Sequence, residues 1–358
     1  MDANPEFVSE GIFRIPLPLP DPGLKSVNVY AILGSEGVVL IDAGWALTAA
    51  ERRLEEGLLQ CGAALADVTS FLVTHVHRDH YTQAVTVRRR TGASIALGLE
   101  ERESLGVLMD PGSSNVAAQI EGLRRAGATS LASQFEQQWP GDVAPASEWE
   151  WPDEWLRDGD ILRLPNGGVL DTLATPGHTA GHVCFRDQSA GLLFAGDHIL
   201  PGITPSIGYV PSPGASPLLD YLASLARVRA LPDTVLLPAH GRVVSSTHRR
   251  IDELLEHHSD RFHSVLGSVA RGATTALEIA HSLKWTRKGK ALKELDPFNQ
   301  ALAILETAFH AEVLVAQARL TADHQDDVRC FRLAAGLGGL FNSEGDTKLD
   351  VFPESMPR

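Results

Sequence analysis

Short apolar runs alternate with helix-period segments over the first 250 or so residues. Residues 27–33 (VNVYAIL) and 37–42 (GVVLID) are rich in β-branched side chains and are parted by Gly34-Ser35-Glu36-Gly37, which predicts a hairpin ending at Asp42-Ala43-Gly44. Residues 48–60 predict a helix, with Thr48 as N-cap, Glu51 three residues on and Gly62 just past the end. A buried strand at 70–75, a helix at 82–90 and a strand at 94–97 follow. This β-α-β alternation points to an α/β architecture with helices covering a sheet.

From about residue 100 to 155 the pattern changes to helical stretches rich in Ala, Gln, Ser and Gly. Four of the six tryptophans fall here: Trp139, Trp149, Trp151 and Trp155. We read this part as a helical insertion. Its tryptophans either line a pocket for an apolar substrate or fasten the insertion to the body, the commoner role of buried aromatics. Strands resume at 161–164, 169–174, 182–186 and 192–195, with turns at Asn166-Gly167 and Ser189-Ala190-Gly191. A helix at 217–230 and a short strand at 234–238 complete this part. Beyond Arg249, residues Ile251, Leu254, Leu255, His258, Phe262, Val265 and Leu266 share one helical face. A second helix is predicted at 275–283. A third runs from Pro297 to about Ala318, opened by an Asp296 cap and a proline at the first helical position. The expected organisation is a catalytic body over 1–248, a small helical C-terminal domain over 249–321, and a polar, Gly-rich tail over 322–358 that is loosely held.

A length of 358 residues agrees with about two domains. Hydrophobic residues at 44% and charged residues at 21% exclude a mainly disordered chain. Lys and Arg number 31 against 45 Asp and Glu, a net charge of −14. That balance disfavours nucleic acid or an anionic membrane as partner, because phosphate affinity needs clustered cations. A local exception is the cluster Lys284, Arg287, Lys288, Lys290 and Lys293. It suits a nucleotide-like handle such as coenzyme A, or RNA, though a solvated positive face is commoner. Cys61, Cys184 and Cys330 make no disulfide framework and fit a reducing compartment. Residues 1–20 lack a basic start and are broken by Pro16, Pro18 and Pro20, so no signal peptide is expected. No run of 18 apolar residues predicts a membrane span. The expected address is the cytoplasm, and a homodimer is compatible with the sequence.

Among the 14 histidines, His75, His77 and His80 share one six-residue stretch with Asp79, directly after a predicted strand. In extended backbone, residues two apart point the same way, so His75 and His77 can reach one metal together. Asp79 and His80 come after the chain turns toward the next helix and can address a neighbouring point. Imidazole and carboxylate suit Zn, Fe, Mn or Ni better than Ca or Mg. One ion would not use this many ligands, and further candidates follow later strands. These are His178 in TPGHT, Asp197 in AGDH and His240 in AHG. Strand ends are where α/β folds place ligands, and the nearby Gly and Pro give the tight turns such loops need. His182, His198, His248, His257, His258 and His263 lack that context and are read as structural or solvated.

THVHRDH (74–80), TPGHT (175–179), AGD (195–197) and AHG (239–241) together resemble the metallo-β-lactamase superfamily, as does the strand ending in Asp42-Ala43-Gly44. The resemblance covers about residues 7 to 248. It implies a four-layer αββα sandwich with two divalent metal ions between the sheets, zinc by default, with iron or manganese as alternatives. It implies one metal on His75, His77 and His178 and a second on Asp79, His80 and His240, with Asp197 bridging. The complete second site is similar to that of glyoxalase II, thioesterases, lactonases and RNase Z-type nucleases. The C-terminal helices resemble the winged-helix appendage of the lactamase-like protein 2 group. Where many members continue the first motif with Gly-Gly, this chain has Tyr81-Thr82-Gln83.

The expected chemistry is attack by a metal-bridging hydroxide, since paired cations about 3.5–4 Å apart lower the pKa of a shared water toward about 7. Asp79 and Asp197 are the catalytic candidates, Asp79 also to orient the hydroxide or pass a proton to the leaving group. Tyr81 and Tyr209 are candidate oxyanion donors, although both residues can simply pack. Residues 201–216, rich in Gly and Pro, are expected to form a rim loop beside the metals. A small-molecule thioester, of the acyl-CoA or hydroxyacylglutathione type, is the first substrate class. A lactone or carboxyl ester is second, and an RNA-processing endonuclease is the reading from another class.

Overall fold

The structure, a computed structural model, describes residues 4–20, 24–138, 145–286 and 288–335. The first sheet holds seven strands in chain order: β1 (Glu6–Ser9), β2 (Ile12–Pro18), β3 (Ser26–Gly34), β4 (Gly37–Ile41), β5 (Val68–Val73), β6 (Ser94–Gly98) and β7 (Glu154–Leu156). Strands β1 to β4 pair antiparallel and β4 to β7 parallel. Gly34 opposite Gly37 closes the hairpin expected from the sequence. The second sheet holds β8 (Ile161–Arg163), β9 (Val169–Ala174), β10 (Val183–Asp187), β11 (Leu192–Gly196) and β12 (Val235–Pro238), antiparallel except where β12 runs parallel to β11.

The layering follows from side-chain alternation. A strand's successive side chains face opposite sides, and β3 is apolar on both. Its Val27, Val29 and Ala31 join one cluster with Leu54 and Leu58 of α1 (Thr48–Gln60) and Ala84 and Val85 of α2 (Arg78–Thr91). Its Tyr30 and Ile32 join another with Phe185 of β10 and Phe194 of β11. Tyr30 and Phe194 meet edge-on, ring centres 5.3 Å apart. Leu193 and Ala195 of β11 face outward, toward Leu222 and Leu225 of α6 (Pro217–Arg229). Helix, sheet, sheet and helix are thus stacked, as expected. Asn28 is the polar exception on β3. It is buried and donates to the carbonyls of Pro238 (2.8 Å) and Gly241 (2.9 Å), which ties the first sheet to the end of β12.

Helix starts differ from the sequence reading. The N-cap of α1 is Leu47, without a side-chain cap, and Thr48 is already helical. Its entry is fixed from outside, by the Ala46 N–H donating to Thr82 Oγ1 (3.0 Å). Helix α2 begins at Arg78 rather than Thr82, because the His80 and Tyr81 N–H groups already bond to the His77 carbonyl. Thr82 donates back to the Arg78 carbonyl (2.7 Å) from inside the helix.

The insertion supplies α3 (Arg102–Met109), α4 (Ala117–Arg125) and α5 (Thr129–Gln137). Trp155 falls in β7 and belongs to the sheet. Trp149 is buried and stacks on Tyr81. Trp151 is exposed and meets Trp155 edge-on, and Trp139 lies outside the described residues.

The C-terminal helices are α7 (Thr247–Ala270), α8 (Ala276–Ser282) and α9 (Pro297–Ala316), and Asp296 caps α9 as expected. Ile251 and Leu254 of α7 and Ile304 of α9 share one apolar cluster with Leu123 of α4 and Leu218 of α6. The tail expected to be loose from Ala322 is instead structured to residue 335. Strands β13 (Leu320–Gln325) and β14 (Val328–Leu333) form a hairpin. Asp326 and Asp327 both take positive φ (47° and 66°), as a two-residue I′ turn requires. Leu320 and Phe331 are buried against the helices, and the Phe331 N–H donates to the Thr274 carbonyl (2.7 Å). Residues 336–358 of that tail lie outside the described residues. Among the described residues, no helix is long and apolar enough to cross a membrane.

Candidate metal centre

The ends of β5, β11 and β12 and the β9–β10 turn meet at one edge of the sandwich. His75 and His77 leave β5 in extended backbone, and Asp79 and His80 occupy the first turn of α2. A carboxylate is favoured there by the helix dipole. His178 comes from the β9–β10 turn, Asp197 directly follows β11, and His240 follows β12. All seven candidate ligands converge, as His75, His77, His178 and Asp197 in one group and Asp79, His80 and His240 in another.

In the first group three ring nitrogens face a common point. His75 Nε2 lies 3.0 Å from His77 Nδ1 and 3.2 Å from His178 Nε2, and His77 Nδ1 lies 3.0 Å from His178 Nε2. Asp197 stands between the groups, with Oδ2 3.6 Å from His178 Nε2 and Oδ1 3.4 Å from His240 Nε2 and 3.8 Å from His80 Nε2. Asp79 Oδ2 is 3.4 Å from His240 Nε2.

Each ring is aimed by its other nitrogen. His77 Nε2 donates to the Tyr209 carbonyl (2.8 Å), His178 Nδ1 to the Ser206 carbonyl (2.6 Å) and His240 Nδ1 to the Ser26 carbonyl (2.8 Å). His80 Nδ1 meets Asp42 Oδ2 (2.9 Å), and His75 Nδ1 meets Thr74 Oγ1 (3.0 Å). Asp42 also accepts from the Thr74 N–H (2.8 Å) and hydroxyl (2.9 Å). Such outer contacts fix tautomer and ring direction at metal sites.

The sequence reading left these supports without a role. In the sequence Asp42 shows only as a strand end. His182, read as structural or solvated, accepts the Asp197 N–H on Nε2 (3.2 Å) and stacks on His75. His198 is buried beside it. Gly196 makes this approach possible. Its φ is +50°, and a Cβ there would lie 2.6 Å from both His182 Nε2 and Thr74 Oγ1. Glu101 was not singled out at all. Fully buried, it accepts the Thr179 hydroxyl and has the Val76 and Gly181 backbone N–H groups beside it, so it stands between the His75–His77 loop and the His178 loop. Burial pushes its pKa up to about 7. The partners of these residues lie far along the chain, so no local motif marks their positions in the sequence.

Charge divides the two groups. Burial and neighbouring imidazoles hold His75 well below its ordinary pKa and His178 down to about 3. Burial also opposes charge on His80, but Asp79, Asp42 and Asp197 outweigh it and lift the pKa to about 9. His240 is likewise raised well above its ordinary value, against burial, by Asp197 and Asp79. Burial would raise Asp79 and Asp197, yet His80 and His240 hold both below the usual carboxylate range.

These residues fit a metal. Tetrahedral ligands at 2.0–2.1 Å stand about 3.3 Å apart, close to the spacing of the three imidazole nitrogens. His80 Nε2 and Asp197 Oδ1 are buried without a hydrogen-bond partner among the described residues. A divalent cation would satisfy them and replace the protons on His80 and His240.

A cavity of about 280 Å³ opens over the ligands, with Leu24, Leu108, Val116, Trp149 and Val210 on its walls. Residues 206 and 209–211 of the expected rim loop line it. Tyr209 belongs to this rim, its ring 6.2 Å from that of His77. Tyr81 does not reach the cavity. It is buried, and its hydroxyl donates to the Glu150 carbonyl (2.8 Å), so as an oxyanion donor it is ruled out by position.

The fold is that of the metallo-β-lactamase superfamily, and the chain belongs to it: the model of that family matches residues 22–240. Among similar proteins, "Probable metallo-hydrolase YqjP" of Bacillus subtilis (strain 168) is 25% identical over 338 residues, spanning 88% of this chain and 95% of the relative. The crystal structure of a metallo-β-lactamase family protein from Thermus thermophilus superposes with a TM-score of 0.74 at 28% identity, covering 91% of this chain and 99% of that one. A β-lactamase domain protein from Burkholderia ambifaria, at 24% identity and a TM-score of 0.70, shares the fold over 92% of this chain and 95% of its own. A "Beta-lactamase-like protein 2 homolog" of Caenorhabditis elegans is 34% identical over a shorter stretch of 101 residues, 28% of this chain and 32% of the relative.

Proposed function

We propose that this metallo-hydrolase cleaves a thioester of a small molecule, with two divalent cations, zinc by default, and the glyoxalase II-type ligand set. The observation that carries the reading is Asp197, whose two oxygens face the two ligand groups separately. His75, His77 and His178 would hold one cation, Asp79, His80 and His240 the other, with Asp197 shared. When bound, the cations supply an activated water at neutral pH and polarise the acyl oxygen.

The chain's own groups do the rest. Asp79 lines the cavity and is 20% exposed, against 10% for Asp197. It is placed to orient the attacking water and to return its proton to the departing thiolate. Trp149, Leu108 and Val116 exclude water from the acyl side. The walls are largely apolar, which favours an uncharged acyl group over a phosphodiester. A lactone or carboxyl ester uses the same attack and is the second choice. The net charge of −14 keeps RNA cleavage third. The order α7, α8, α9, β13, β14 supports a winged-helix-like reading of the C-terminal part.

Metal analysis of the purified protein, with a panel of acyl-CoA, glutathione thioester, lactone and RNA substrates, tests the reading. We expect close to two metals per chain and thioester turnover. Asp79→Ala should lower kcat by about 100-fold or more with a smaller change in KM. Hydrolysis of RNA alone would overturn the proposal.

A further inference from the structure

Four of the chain's six lysines, Lys284, Lys288, Lys290 and Lys293, fall between α8 and α9. In a chain of net charge −14 this is a local reversal of field. All four are exposed, and none stands in an ion pair among the described residues. Arg287, the fifth member of the cluster, lies outside the described residues.

Trp285 pins the described part of this segment. The Trp285 N–H donates to the Lys290 carbonyl (2.8 Å), and the buried indole N–H donates to the Ala280 carbonyl (3.0 Å). The Arg261 guanidinium lies 4.4 Å over the Trp285 ring. Trp285, Thr286 and Lys290 wall one side of a cleft of about 360 Å³, and residues 204–209 wall the other. Ser206 and Tyr209 line both this cleft and the cavity over the metal ligands. The two spaces are neighbours across one segment of chain. Two carboxylates also line the cleft. Asp296 is engaged, accepting the Asn299 N–H (3.0 Å) and side-chain amide (2.7 Å), while Glu306 lies 3.9 Å from Arg261 Nε, its Oε1 buried and without a hydrogen-bond partner among the described residues. Lys290 lines the cleft, and Lys284, Lys288 and Lys293 stand on the same connection between α8 and α9.

We infer that this cleft is a second subsite, which holds the phosphate-bearing end of a substrate whose acyl bond reaches the metal ligands past Tyr209. The inference rests on the acyl-hydrolase reading above and narrows it to carrier thiols of the coenzyme A class, which have phosphates at one end and the reactive sulfur at the other. Lysine ammonium groups are point charges suited to phosphate oxygens. A long polyanion would meet the acidic remainder of the molecule, whereas a short one need touch only this loop.

Binding is tested apart from turnover, by calorimetry on the full metal-loaded chain with adenosine 3′,5′-bisphosphate, and with adenosine as the phosphate-free control. The bisphosphate is expected to bind, more weakly as salt rises. Replacing Lys284, Lys288, Lys290 and Lys293 together by Ser should weaken it at least roughly tenfold, the equivalent of one charge-assisted hydrogen bond. In kinetics, the preference in kcat/KM for acetyl-CoA over acetyl-pantetheine should fall from about tenfold or more toward one in that variant. Equal bisphosphate affinity in both proteins, or none in either, overturns the subsite. Binding of a short single-stranded RNA without the bisphosphate overturns it in favour of a nucleic-acid face. Bisphosphate binding without turnover of either ester sinks the hydrolase reading and leaves an anion site. Turnover without bisphosphate binding does the reverse.

Discussion

Asp42 has a φ of 59°, a left-handed conformation that Asp tolerates better than most side chains. The strain is held in place by its bonds to Thr74 and His80. Asp42→Ala would free the His80 ring to rotate, and we expect metal affinity to fall by about 10–100-fold. Chelator competition measures this, and unchanged affinity would remove Asp42 from the metal site. A second residue-scale effect lies outside the centre. His310 Nδ1 donates to the Glu306 carbonyl (2.8 Å), which leaves its Nε2 to accept from His258 Nδ1 (3.0 Å). Burial holds both imidazoles neutral, His310 down to about 3 and His258 well below its ordinary value. In the unfolded chain each takes up a proton near pH 6.5. The folded state therefore binds fewer protons below that pH. The pair's contribution to stability is full above about pH 6.5 and is lost as the pH falls, by up to about 1.4 kcal/mol per pH unit for each ring. Urea midpoints of wild type and a His258→Leu/His310→Leu variant, followed from about pH 7 to 5, should therefore converge. Parallel curves would refute the assignment.

At the scale of elements, α2 is both a ligand carrier and a packing surface. Tyr81 fills the gap to the insertion through Trp149 and Glu150. Tyr81→Phe should cost about 1 kcal/mol of stability and leave kcat intact. A loss of about 100-fold in kcat would instead return the tyrosine to the oxyanion. Strands β3, β4, β9 and β11 were legible from sequence because their apolar runs end at glycine or at a polar turn. The α2 start was not legible, since the helix begins inside the metal motif, where His77 sets the first bonds. The β13–β14 hairpin was hidden by its exposed polar face and by a turn made of two aspartates rather than glycine. Only its docking of Leu320 and Phe331 onto the helices reveals it.

For the molecule as a whole, the convergence of the seven candidate metal ligands was legible because each stands in a short motif at a strand end. Their supports were not, since Asp42, Glu101 and His182 gain meaning only from partners on other elements. The same crowding would make a bound metal a structural member. Removing it leaves buried imidazoles and carboxylates facing one another. Free metal a hundredfold above Kd stabilises by about 2.7 kcal/mol, so a chelator should lower Tm by several degrees in calorimetry. An identical Tm would mean that the ligands pair as well without a cation. The wall between the two cavities carries a consequence for divergence. Ser206 and Tyr209 steady His178 and His77 through main-chain oxygens, which all twenty amino acids possess. Point replacements along that stretch can therefore reshape what the enzyme accepts while the ions stay seated. Adding or deleting a single residue there would shift the oxygens out of register and cost both properties at once.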